Sequence, residues 1–83
     1  MLKIELAYTI PNTWKLIFKL NNNSWKAMDC EKILSFPYAK ELIPNIESFQ
    51  EFKKHDTKIS WSNEQMEICL DRLLEDSLDI EIK

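Results

Sequence analysis

Apolar and polar positions alternate from the second residue onward. In "LKIELAY", Leu2, Ile4 and Leu6 stand against Lys3 and Glu5, the period of two of a half-buried strand. Pro11 and Asn12 break the run. "TWKLIFKL" then places Trp14, Leu16, Phe18 and Leu20 on one face and Lys15, Ile17 and Lys19 on the other. After the polar "NNNS", "WKAMD" sets Trp25 and Ala27 against Lys26 and Met28. Residues 13–29 therefore predict a β-hairpin joined by an asparagine turn, and the chain opens as a three-stranded antiparallel meander. Trp14, Trp25 and Trp61 all fall on predicted strands and are expected in the core, where each ring removes roughly 150–250 Å² from water.

The middle of the chain changes period. Asp29 can cap a short helix through "CEKILSF", with Ile33, Leu34 and Phe36 as its apolar side and Pro37 as its end. "YAKELI" predicts a turn or two of helix with Tyr38, Leu42 and Ile43 inward, closed by Pro44, and "NIESFQEF" a weaker one around Ile46, Phe49 and Phe52. "KKHDTKISW" is extended again and predicts two strands with a turn at His55 and Asp56. "NEQMEICLDRLLEDSL" offers Met66, Leu70, Leu73 and Leu74 at helical spacing, and "DIEIK" ends in strand-like alternation. The expected fold is α+β, a small antiparallel sheet made of the N-terminal meander and a later strand pair, packed with short helices. Residues 1–83 form one domain, with 77–83 as an acidic tail.

With 45 % apolar and 30 % charged residues, the chain is too hydrophobic for disorder and too interrupted by charge for a membrane span. It carries no apolar run near ~18 residues and no cleavable leader pattern, and reads as cytoplasmic. Glycine is absent. Phosphate-cradling loops need a residue without a Cβ, so nucleotide-binding loops of the Walker or dinucleotide type are excluded. Asparagine tolerates left-handed backbone next best, so Asn21–Asn23 and Asn63 are expected to do glycine's work in the turns.

Charge is unevenly placed. Residues 1–63 hold nine lysines and seven acids, for +2, whereas residues 64–83 hold seven acids against Arg72 and Lys83, for −5, together the net −3 of the chain. One arginine and a negative balance do not supply the phosphate neutralisation that nucleic-acid binding needs, so no unaided binding of nucleic acid is expected. The acidic end suits a basic protein partner. Glu64, Glu67, Asp71 and Glu75 have the spacing of one helix face and are the candidate partner-binding residues. The same spacing describes an ordinary solvated face.

Candidate chemistry is sparse. The acids at 64, 67, 71 and 75 could serve a small hydrolase only as a pair about 5–10 Å apart in a cleft, and a thiol nucleophile would need Cys30 or Cys69 within reach of the only histidine, His55. Nothing in the pattern brings them together, and His55 sits in the polar "KKHD" as an exposed turn residue. One histidine and two distant cysteines do not make a metal set. No catalytic residue, cofactor or metal is assigned, and the cysteines are read as free thiols.

The stretches "PNTWKLIFKLNNNSWKAMDCEKIL" (Pro11 to Leu34), Phe49, and "ISWSNEQMEICLDRLL" (Ile59 to Leu74) resemble a small bacterial family, domain of unknown function 2442. The family's hairpin glycine is replaced here by the asparagine run, and the glycine expected after Asn63 is Glu64. The resemblance implies an α+β domain without known catalytic residues, of a kind that accompanies small toxin-like proteins. The chain is accordingly expected to be a non-enzymatic protein-binding module, similar to the antitoxin of a toxin–antitoxin pair, with a basic toxin-like partner. A stand-alone ligand-sensing or regulatory domain that acts with a separate DNA-binding subunit is the alternative. Self-association is left open.

Overall fold

The computed structural model describes residues 1–80. The protein is α+β, and its described residues form two antiparallel sheets and three short helices. The first sheet runs β1 (Ile4–Thr9), β2 (Lys15–Leu20), β3 (Trp25–Asp29) and β7 (Leu78–Ile80) in that spatial order, so the N-terminal meander is present as expected. The second runs β4 (Lys53–Lys54), β5 (Lys58–Trp61) and β6 (Met66–Cys69). Asparagine makes the turns. Asn12 and Asn23 take φ of 63° and 69°, and Asn23 N–H donates to the Leu20 carbonyl at 3.0 Å to close the β2–β3 hairpin.

Leu16, Phe18, Leu20 and Met28 face inward and are buried, together with Ile4. Two apolar residues fall on the opposite face from the alternation. Ile4 pairs with Leu20 but Leu6 with Lys19, so β1 carries one extra residue. That bulge turns Leu6 to the outside, where it is 42 % exposed. Trp25 pairs with Lys19, whose side of β2 faces away from the core, so the indole stacks instead on Tyr8 at 6.4 Å. Trp25 is therefore an outer-face residue, whereas Trp61 is buried and half-buried Trp14 packs against the core. Lys26 lies inward opposite Phe18 and reaches the sheet edge to pair with Asp79 of β7. Part of the expected tail is thus a sheet strand, and residues 81–83 lie outside the described residues.

The segment after β3 makes a turn and no helix. Asp29 Oδ1 accepts from Glu31 N–H at 3.0 Å and Leu34 N–H donates to the Cys30 carbonyl at 2.9 Å, but Pro37 forces Phe36 into an extended conformation before a second turn can form. Helix α1 (Pro37–Leu42) starts on that proline, and α2 (Ile46–Gln50) is capped by Asn45, whose side chain accepts from Ser48 N–H at 2.8 Å. Ala39 and Ile43 are inward, and Tyr38 is exposed.

The long final helix expected from residue 63 is much shorter. Met66 and Ile68 alternate with Glu67 and Cys69, and β5 offers them a backbone partner, so 66–69 pair as β6. Only α3 (Leu70–Asp76) is helical, with Leu70 and Leu73 buried. The core lies between the inner face of the first sheet, the inner side of β5–β6 and the helices. Trp61 ties these layers together, since its Nε1–H donates to the Phe49 carbonyl at 2.8 Å and its ring stacks on Phe49 at 5.6 Å.

Candidate partner-binding groove

The corner "WSNE" between β5 and β6 is made of three consecutive left-handed residues, Ser62, Asn63 and Glu64, with φ of 52°, 56° and 68°. Such geometry costs roughly 1–2 kcal/mol per residue with a Cβ and persists because neighbours fix it. Ser62 Oγ–H donates to the Leu42 carbonyl at 2.8 Å and Gln65 N–H to the Ser62 carbonyl at 3.2 Å. Asn63 fills the role expected of it, and Glu64 takes the same conformation.

From that corner Glu64 Oε1 lies 3.3 Å from Lys58 Nζ and 3.4 Å from His55 Nε2. Lys58 Nζ also donates to Glu67 Oε2 at 2.9 Å. The bond to Glu67 first, and that to Glu64 second, hold the Lys58 ammonium above its ordinary pKa. His55 is half-buried rather than an exposed turn residue, because it bridges the β4–β5 turn to this corner.

A serine, a histidine and a carboxylate meet here without forming a nucleophilic triad. Ser60 Oγ lies 3.0 Å from the same Nε2 that faces Glu64, whereas a triad needs the carboxylate on Nδ1 so that Nε2 is free to take the serine proton. Ser60 is also buried within β5. Cys30 is buried, and burial, with the Asp29 carboxylate adding, pushes its thiol up to about 12. Cys69 is exposed. Among the described residues no three His, Cys, Asp or Glu side chains gather as a metal site would require.

The four candidate acids do not form one helical stripe. Glu64 and Glu67 stand on the β5–β6 hairpin, tied to Lys58, because residues 66–69 are strand. Asp71 and Glu75 stand one turn apart on α3, both exposed, and neither has an ion-pair partner within 4.0 Å among the described residues. Arg72 between them is engaged by Asp76, whose hydrogen bond holds the guanidinium pKa up. Three of the four acids nevertheless share a concavity. A groove of about 670 Å³ runs along β6 between the 32–36 turn and α3, lined by the acids Glu67, Asp71 and Glu75, by the cations Lys32 and Arg72, and by Ile33, Phe36 and Met66. Glu64 lies outside it.

Phe36 and Met66 are the groove residues that the acid pattern alone did not single out. Their signals were present. An aromatic residue before proline is held extended and cannot turn inward with a helix, and Met66 alternates with Glu67 at strand spacing. A second hollow of about 380 Å³ is bounded by Trp14, Leu34, Ile43 and the charged Glu31 and Lys40. The outer face of the first sheet presents Leu6, Tyr8 and Leu78, at 42 %, 51 % and 75 % exposure, around the half-buried Trp25. No helix among the described residues is long and apolar enough to cross a membrane. No protein-family model, no curated protein and no solved structure matches this chain, so the geometry set out above is what bears on its function.

Proposed function

We propose that the protein is a non-enzymatic protein-binding module that covers a basic partner, in the manner of the antitoxin in a small toxin–antitoxin pair, and that the groove along β6 is its contact surface. One observation carries this. The groove joins exposed apolar area, including Phe36 at 43 % exposure, to two carboxylates, Asp71 and Glu75, that have no ion-pair partner within 4.0 Å among the described residues and that outnumber the one unpaired lining cation, Lys32. An apolar centre with a charged rim is the anatomy of a protein interface, and complementary charge sets association rate and rejects wrong partners.

The test is affinity capture from the source cell with the parent protein and with Asp71→Lys/Glu75→Lys, at low and high salt. The proposal expects a basic protein that the parent retains at low salt and the variant does not. Equal retention by both, or no enrichment of any basic protein, overturns it. The hollow beside Trp14 favours a second reading, a ligand-sensing domain that acts with a separate DNA-binding subunit. An indole wall with one acid and one base suits a small zwitterion, and a rise in thermal midpoint with free amino acids that is lost in Lys40→Ala would support it.

A further inference from the structure

We infer that the partner docks as an added β-strand, antiparallel or parallel to β6, with basic side chains toward Asp71 and Glu75. This rests on the proposed function and specifies how the same groove would be filled.

The hydrogen-bond phase of the second sheet carries the argument. His55 N–H donates to the Lys58 carbonyl at 2.9 Å, so the backbone groups of Lys58, and two residues on of Ser60, point toward β4. Leu70 N–H donates to the Thr57 carbonyl at 2.8 Å, so Thr57, Ile59 and Trp61 point toward β6 and are met by Leu70, Ile68 and Met66. In an antiparallel ladder alternate residues point to opposite edges. The Glu67 N–H and C=O and the Cys69 N–H therefore point away from β5, toward the groove that both residues line, while the Cys69 carbonyl, at the N-cap of α3, accepts the first intrahelical bond. β6 is the edge of its sheet, and no turn, loop or cap bond among the described residues reaches these three outward groups.

The other edges nearby are guarded. β4 is two lysines long, β1 carries a bulge, and the two cover one another through Ile4 N–H to the Asp56 carbonyl at 2.7 Å and Lys54 Nζ to the Ile4 carbonyl at 2.8 Å. Short, charged and bulged strands are the usual protection against edge pairing. β6 is also short and carries one charge, Glu67, but it is twice the length of β4, has no bulge, and faces a hollow with an apolar floor. Strand addition gives affinity through main-chain bonds and selectivity through alternate side chains. A second copy of this chain would bring the same acid-rich groove to the contact, with Glu67, Asp71 and Glu75 outnumbering Lys32 and Arg72 in each, so charge complementarity selects a basic foreign strand.

Cys69 supplies a clean test. It precedes α3 with φ of −75° and ψ of 161°, a backbone that proline adopts without strain, and its N–H is one of the two outward donors. Cys69→Pro should keep the fold, with an unchanged or higher thermal midpoint, while removing half of the edge's donors. The probe is a capped peptide of alternating lysine and valine, titrated to about 1 mM into isotopically labelled protein, beside a copy N-methylated at alternate residues. The inference expects salt-sensitive shifts at the Glu67 and Cys69 amides, slowed hydrogen exchange at both, and binding at least tenfold weaker for Cys69→Pro and for the methylated peptide. No perturbation of β6 amides by the unmethylated peptide overturns it, as does equal binding by Cys69→Pro and by the methylated peptide. Where capture of a basic protein is lost in Asp71→Lys/Glu75→Lys but kept in Cys69→Pro, the proposed function stands and strand addition is rejected.

Discussion

Replacing Trp61 by phenylalanine tests the architecture at its joint. Trp61 is 2 % exposed, donates from Nε1 to the Phe49 carbonyl at 2.8 Å and stacks on the Phe49 ring, which itself meets Trp14 at 5.3 Å. Phenylalanine keeps a ring in the stack and loses the donor, and leaving the buried carbonyl unpaired costs about 1–3 kcal/mol. The smaller ring leaves ~40 Å³, which at about 24 cal/mol per Å³ adds about 1 kcal/mol. The sum, about 2–4 kcal/mol, is a large part of the roughly 4–12 kcal/mol that 0.05–0.15 kcal/mol per residue allows a chain of this length. At about 4–8 °C per kcal/mol, the thermal midpoint should fall by about 10–30 °C. Trp25→Phe, on the outer face, keeps the stack on Tyr8 and should cost less than about 1 kcal/mol. Thermal unfolding followed by circular dichroism decides. A midpoint for Trp61→Phe within about 5 °C of the parent, or an equal loss in Trp25→Phe, would refute the layer arrangement.

Glu64 holds φ of 68°, so Glu64→Gly should be neutral within about 1 kcal/mol and Glu64→Val should be less stable than the glycine variant by more than about 1.5 kcal/mol in urea unfolding, since a β-branched side chain is worst in left-handed backbone. The Cys30 thiol ionises near 12 in the fold against 9.0 when unperturbed. The stability this gives is complete below pH 9 and declines as pH rises from 9 toward 12, because the unfolded chain loses the proton first, by up to about 1.4 kcal/mol per pH unit. The advantage of the parent over Cys30→Ala should shrink by that amount between pH 9.5 and 10.5, taken as about one unit, while in the native protein at neutral pH a thiol reagent should modify Cys69 and leave Cys30 untouched. Ser77 Oγ is buried with no hydrogen-bond partner among the described residues, so Ser77→Ala should raise the thermal midpoint by about 2–6 °C, the return for removing an unsatisfied hydroxyl.

The strands that alternate cleanly were readable from residues alone. Leu16, Phe18 and Leu20 could sit only on one face, and the asparagines stood where turns needed left-handed backbone. Leu6 and Trp25 were not readable, because face assignment has a period of two and one extra residue in β1, or the choice of which side of β3 meets β2, inverts it without changing the pattern. "MEICL" fits strand and helix spacing equally over so short a run, and the tie was broken by tertiary pairing with β5, which no local preference encodes. The same tie decided the site. The four acids share one helical face only when 66–69 are helical. Once those residues pair as strand, Glu64 and Glu67 turn to Lys58, and what remains for a partner is Asp71 and Glu75 beside an edge and an apolar floor that acid spacing could not reveal.

The association rate of the captured basic partner, measured by stopped flow against ionic strength for the parent and for Asp71→Lys/Glu75→Lys, tests the central claim most directly. Electrostatic steering raises association from a neutral rate of about 10⁵–10⁶ M⁻¹s⁻¹ toward about 10⁸ M⁻¹s⁻¹ at low salt, and screening removes the gain once the Debye length falls well below the ~10 Å it has at 0.1 M. The account predicts a fast, steeply salt-dependent rate for the parent and a slow, nearly flat one for the folded variant, with the two converging at high salt. Equal rates for parent and variant at low salt would contradict it, and Asp71 and Glu75 would then be a solvated face of the helix.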